Sequence, residues 1–134
     1  MKTFLDSGVL ITAWKRGSGH VRAVDIMADA ARDFLTCDNV RLEVLPKPTF
    51  EKRRMEVAFY NEHFAIAASE PFSDALGQAA SALAKKYGLA AGDALNLASA
   101  IRQGADEFLT SEMPGKPMFR LKELRVASLH EAMA

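Results

Sequence analysis

The sequence predicts an α/β fold, a short and mostly parallel sheet covered by helices on both faces. Three observations predict it. Short apolar runs at 3–6, 34–37, 107–110 and 125–128 read as buried strands. Segments with helical apolar spacing alternate with them, the pattern of a parallel sheet with helices on its faces. The balance of 49% hydrophobic and 25% charged residues is that of an ordinary globular chain.

Each element has a local reason. Thr3-Phe4-Leu5-Asp6 is a strand ending near Asp6, and Gly8 turns the chain into a helical segment. Residues 20–33 place Val24, Met27, Ala28 and Ala31 at helical spacing. Phe34-Leu35-Thr36-Cys37 is the second strand. Asp38 or Asn39 can cap a helix holding Val40, Glu43 and Val44, which Pro46 ends. Thr49 is a candidate N-cap for a helix over about 50–66. Over 73–87, Ser73 caps and Leu76, Ala79, Ala80, Leu83, Ala84 and Tyr87 form one stripe. Lys85 and Lys86 suit its last turn and Gly88 stops it. The helix over 91–103 is built of small residues and ends at Gly104. Ser128 with Glu131 resembles a capping box for a brief terminal helix.

A chain of 134 residues is one domain's worth, and we read 1–134 as a single domain. The lone Cys37 sits in an apolar run, so it reads as a buried structural thiol in a reducing compartment. No leader opens the chain and no apolar run approaches the ~20 residues of a membrane helix. A cytoplasmic protein with no membrane partner is the expectation. With 17 basic and 17 acidic residues the net charge is zero, so nucleic-acid binding would need a local patch.

Four acids stand out by position. Asp6 ends the first strand, Glu43 follows the second by one helical turn, and Glu112 follows the third by two residues. Asp93 opens a helix whose small residues let it pack close to the sheet, with Asn96 one turn on. Each has an ordinary structural explanation: a turn Asp, a solvated helix Glu, a dipole-complementing first-turn Asp, a loop Glu. Their shared place is less ordinary, because ligands bind at the carboxyl ends of parallel strands. Unit charges 5 Å apart repel by about 3 kcal/mol at an effective dielectric near 20. Clustered carboxylates therefore take up protons, destabilise the fold, or hold cations. Oxygen ligands without His or Cys select Mg2+ or Mn2+.

At this point the chain resembles the PIN-domain nucleases, most closely the VapC-type toxins of type II toxin–antitoxin systems. The motifs are Phe4-Leu5-Asp6-Ser7-Gly8-Val9-Leu10-Ile11, Arg41-Leu42-Glu43-Val44, Gly92-Asp93-Ala94-Leu95-Asn96-Leu97-Ala98 and Gly104 through Glu112. The resemblance implies a three-layer α/β/α sandwich with a sheet of four to five strands. It implies metal-dependent cleavage of RNA, with Asp6, Glu43, Asp93 and Glu112 as the metal-binding, catalytic acids. A small cognate antitoxin is the implied protein partner. Two departures stand in this sequence: Glu112 where the family usually has Asp, and Asn96 where it often has His. Asp106 competes with Glu112 for the fourth place, and Ser7 and Thr110 match small hydroxyls that often support the site.

Other residues admit two readings. Lys47, Lys52, Arg53 and Arg54 could contact phosphates or simply face solvent, and Arg41 is a further phosphate candidate. Trp14 could stack on a base or on a neighbouring helix. His20, His63 and His130 show no zinc spacing. Phe59, Tyr60 and Phe64 exceed what a small core needs, which suggests a homodimer or antitoxin contact. A haloacid-dehalogenase-type phosphatase needs a second Asp where Gly8 stands. A phosphate-receiving signalling domain needs an acidic pair and a late Lys that are not evident. A catalytically silent PIN-like RNA- or protein-binding module is the remaining alternative.

Overall fold

The computed structural model describes residues 1–131. Five strands form one all-parallel sheet: β1 (Lys2–Leu5), β2 (Asp33–Cys37), β3 (Ala68–Glu70), β4 (Glu107–Thr110) and β5 (Arg125–Ser128). Their order is β3-β2-β1-β4-β5. Phe4 sits opposite Leu35 on one side and Phe108 on the other. The Phe4 and Phe108 rings stack with centroids 5.4 Å apart. β4 is buried along its whole length, as a strand covered on both faces must be.

The connections decide where the helices go. From β1 the chain reaches β2 through α1 (Ser7–Trp14) and α2 (His20–Met27). It reaches β3 through α3 (Asp38–Val44), α4 (Pro46–Phe50) and α5 (Arg54–Ile66). It then crosses back to β4 through α6 (Asp74–Tyr87) and α7 (Ala91–Arg102). Right-handed crossovers in opposite directions put these two groups of helices on opposite faces. The reversal makes a crevice beside β1 and β4, where such sheets bind ligands. The Asp6 N–H donates to the Leu109 carbonyl at 2.9 Å, tying the end of β1 to β4 at that crevice.

The sequence pattern of α6 becomes packing directly. Ser73 Oγ accepts from the Leu76 N–H at 3.0 Å. Gly88 takes the left-handed conformation at φ 69°, and its N–H donates to the Ala84 carbonyl at 2.8 Å. Leu76, Ala80 and Leu83 face the core. In α7, the small residues Ala94, Ala98, Ser99 and Ala100 are all buried.

Four local expectations change. The predicted helix over 20–33 stops at Met27, because Asp29 Oδ1 accepts from the Ala31 N–H and bends the chain into β2. Pro46 does not merely end α3; it is the first residue of α4, where its missing N–H costs nothing. Thr49 is not an N-cap: its hydroxyl donates to the Leu45 carbonyl at 2.6 Å within α4, and the next helix starts at Arg54. Ser128 belongs to β5, and its Oγ accepts from the His130 N–H at 3.0 Å. The brief helix expected beyond it falls partly on 132–134, outside the described residues.

The short edge strand β3 is an addition to the strands read from the apolar runs. Phe59, Tyr60 and Phe64 do not form a spare surface. Tyr60 and Phe64 are buried, and Phe59 packs on Trp14 with centroids 5.5 Å apart. The aromatic argument for a contact at these three residues therefore falls. Trp14 is likewise taken up by packing. Cys37 is buried. Among the described residues, no helix is long and apolar enough to cross a membrane.

Candidate active site

Asp6 is placed by the strand before it and the helix after it. Leu5 is fully buried, and Asp6 is the N-cap of α1 with extended backbone. The residue is only 6% exposed. Oδ1 accepts from the Ser7 N–H at 2.9 Å and from Asn96 Nδ2 at 3.1 Å; Oδ2 accepts from Thr110 Oγ1 at 3.0 Å. All these donors are neutral. Burial pushes the Asp6 carboxyl up to about 6, the Thr110 hydroxyl opposes this, and the charges of Glu43 and Asp93 raise it further.

Gly8 lets this turn meet Ser111, the residue that follows β4. A Cβ there would lie 2.0 Å from Ser111 Oγ and 3.1 Å from Ser111 Cβ. The backbone of the first turn of α1 therefore approaches the segment carrying Glu112 more closely than a Cβ fits unless Ser111 shifts.

Asn96 joins three elements. Its Nδ2 donates to Asp6 Oδ1 and, at 2.8 Å, to Glu43 Oε1. Its Oδ1 accepts from Asn39 Nδ2 at 3.0 Å and from the Cys37 thiol at 3.4 Å. Asn39 Nδ2 also lies 3.2 Å from Glu43 Oε1 and 3.3 Å from the Gly92 carbonyl. The two amides thus hold the exposed Glu43 side chain towards Asp6. With both donors on carboxylates and its oxygen on donors, the Asn96 amide has one consistent orientation.

Asp93 lies half-buried in the first turn of α7. Burial raises its carboxyl above the ordinary range, and the charges of Glu112 and Glu43 push the same way; Lys116 opposes them. Glu112 is half-buried, its N–H donates to Thr110 Oγ1 at 3.1 Å, and its carbonyl accepts from Ser128 Oγ. The four sequence-selected acids therefore share one neighbourhood at the carboxyl end of β1 and β4. Asp106 is at the opposite end of β4, where its Oδ2 accepts from the Lys2 N–H at 2.7 Å, a turn role. Arg41 is held over the Phe64 ring at 4.7 Å and pairs with Asp38 at 3.8 Å.

The donor chemistry fits a hard cation: carboxylate oxygens, with Thr110 and two amides in support. Among the described residues, no three His, Cys, Asp or Glu side chains already converge at coordination distance. The acids instead act on one another through space, and Asn96 separates two of them. Sequence reasoning treated Asn39 only as a cap and passed over Lys116. Asn39 has a signal in hindsight, four residues before Glu43 and so on the same helical face. Lys116 has none, since a loop returns it to Asp93.

The PIN domain family model matches residues 3–112. This chain belongs to the PIN domain family. Among solved structures, this PIN domain is similar to a chain of a toxin–antitoxin complex from Klebsiella pneumoniae, with TM-score 0.72, 17% identity, and coverage of 97% of this chain and 99% of that one. It is also similar to a chain of VapBC2 from Rickettsia felis bound to a DNA fragment from their promoter, with TM-score 0.70, 13% identity and coverage of 96% and 98%. A third is a chain of DNA-bound VapBC from Salmonella typhimurium, with TM-score 0.62, 10% identity and coverage of 96% and 98%. At these identities the likeness is one of fold. No curated protein matches the chain by sequence.

Proposed function

We propose that this PIN domain is a Mg2+- or Mn2+-dependent ribonuclease that hydrolyses RNA phosphodiester bonds as the toxin of a cytoplasmic toxin–antitoxin pair. The observation that carries this reading is Asp6. It is a buried carboxyl with only neutral donors, raised to about 6 and facing two further acids. Like charges gathered there would be balanced by a bound cation. Asp6 and Asp93 would hold the ion. Glu43, held by Asn96 and Asn39, would bind it or orient water, and Glu112 would complete a second, weaker position. When bound, the ion lowers the pKa of a water to supply hydroxide for in-line attack on phosphorus. Thr110 and Asn96 keep the Asp6 oxygens aimed, so that the protein's share is orientation.

A small antitoxin as partner is supported by the similar folds crystallised in toxin–antitoxin and VapBC complexes. The silent-module reading is favoured by one observation, the Asn96 amide that already bridges Asp6 and Glu43 without an ion.

The test is cleavage of a mixed RNA pool with Mg2+ or Mn2+, against EDTA and Asp93→Asn. Cleavage lost in both controls is expected. Cleavage that survives both overturns the metal mechanism, and no cleavage together with no Mn2+ binding selects the silent module.

A further inference from the structure

The α4–α5 corner carries features that the acid cluster does not use. Although the chain is neutral overall, Lys47, Lys52, Arg53 and Arg54 fall within eight residues. All four are exposed. Lys52 is held at φ 59°, and it is the one non-glycine residue with positive φ among the described residues. Such a conformation disfavours a side chain, and backbones kept in it cluster at functional segments. The turn it makes opens a cavity of about 400 Å³ lined by Lys52, Arg53 and Arg54, with Thr49, Asn61 and Pro48. Arg53 is neutralised by Glu51 at 2.7 Å and Glu56 at 3.5 Å. Among the described residues, Lys52 and Arg54 have no carboxylate at ion-pair distance. Beside them, Phe50 is 87% exposed on α4.

We propose that this corner is a subsite for single-stranded RNA, in which Lys52 and Arg54 take backbone phosphates and Phe50 stacks on a base. The proposal rests on the ribonuclease reading and places a second contact of the same strand. Cations interleaved with an exposed aromatic ring are what sequence-tolerant single-strand binding needs. An acidic protein partner could use the same charges and the same ring, and it is one of the outcomes the experiment separates. The corner is near the acids along the chain. α3 carries Glu43 and ends at Val44, and the five residues of α4 rise about 7.5 Å to the cavity. That separation is within the length of a few nucleotides of single strand.

The experiment uses the full chain in EDTA, so that binding is read without cleavage. Fluorescence anisotropy of a short labelled oligouridylate is titrated over a range of salt. Single-strand contacts change log K by about 0.7 per phosphate per decade of salt. The double variant Lys52→Gly/Arg54→Gln is expected to bind several-fold more weakly, with the slope reduced by about 1.4. Glycine suits the positive φ at 52, so the melting temperature of that variant should not fall. Phe50→Ala should weaken binding without changing the slope. Unchanged affinity and slope in the double variant overturn the subsite, as does a parent chain that binds no RNA in EDTA. An altered oligomeric state with unaltered RNA binding overturns it too, and assigns the corner to a protein partner. Cleavage that is lost in Asp93→Asn while both corner variants bind RNA normally would leave the ribonuclease reading standing and remove only the subsite.

Discussion

Two buried carboxylates lie at opposite ends of the central strands, and their surroundings differ in kind. Glu107 begins β4 and is 4% exposed; Asp6 follows β1 and is 6% exposed. Glu107 accepts from the Thr3 hydroxyl at 3.0 Å and pairs with Arg32, whose Nε is held by Asp29 at 3.1 Å. Its charge is balanced within the chain. Asp6 has three neutral donors, and the charges acting on it are those of two more acids. Exposure is similar at the two ends, so burial alone does not mark a functional carboxylate. What separates them is whether the fold supplies the opposite charge. The amino-terminal end of the sheet is closed electrostatically, whereas at the carboxyl-terminal end Asp6 is hydrogen-bonded by neutral donors alone.

The largest effect should come from breaking the balanced end. Arg32→Ala strands the Glu107 charge and should cost about 3–5 kcal/mol in urea unfolding. Removing both charges, as Arg32→Met/Glu107→Gln, should recover much of that loss. If the single variant is as stable as the parent, Glu107 is not a buried, paired charge.

The unbalanced end should reveal itself through pH. The Asp6 carboxyl is raised from 3.8 to about 6 in the fold, so the native state holds its proton longer than the unfolded chain. Its contribution is fully present below pH 4 and is lost as pH rises to 6, a swing of about 3 kcal/mol. His63, buried against Phe34 and lowered from 6.5 to about 4, acts in the other direction. Its stability is present above 6.5 and lost as pH falls towards 4. In the ion-free parent the two trends oppose. Asp6→Asn should therefore lose stability on acidification from pH 6.5 to 4, and His63→Phe should gain it. Chemical denaturation at several pH values reads both, and parallel curves for the two variants would refute the assignment. Added Mn2+ should raise the melting temperature of the parent but not of Asp6→Asn.

The smallest effect concerns the close approach at the site. Gly8→Ala turns the Ser111 hydroxyl aside and leaves a tight 3.1 Å contact with Ser111 Cβ, so it should destabilise by about 1 kcal/mol. Ser111→Gly in the same chain should relieve it, because the clash is with that side chain. Thermal unfolding of the single and double variants decides this, and a double variant no better than Gly8→Ala would place the strain elsewhere.

Much of this molecule was legible because it is local. Apolar runs marked β1, β2, β4 and β5, and Ser73 and Gly88 marked the ends of α6. Three acids could be picked out by their spacing from strands and the fourth, Asp93, by its place at the start of a small-residue helix. Their proximity follows from topology: parallel strands whose carboxyl ends meet at the reversal beside β1 and β4. The misplaced helix ends share one cause. Asp29 and Thr49 make side-chain hydrogen bonds to nearby backbone, which compete with the simple cap and period rules.

Tertiary structure alone decided the rest. Ala68–Glu70 has no apolar pattern of its own and becomes β3 because the edge of β2 offers unpaired backbone groups. The Asn96–Asn39 bridge joins residues 57 positions apart, and Arg32–Glu107 joins residues 75 apart. Composition and periodicity report which residues want burial, since that preference belongs to each side chain. Which buried carboxylate is given a counter-charge depends on partners brought together only by chain crossings, and that distinction between Glu107 and Asp6 is made by the fold.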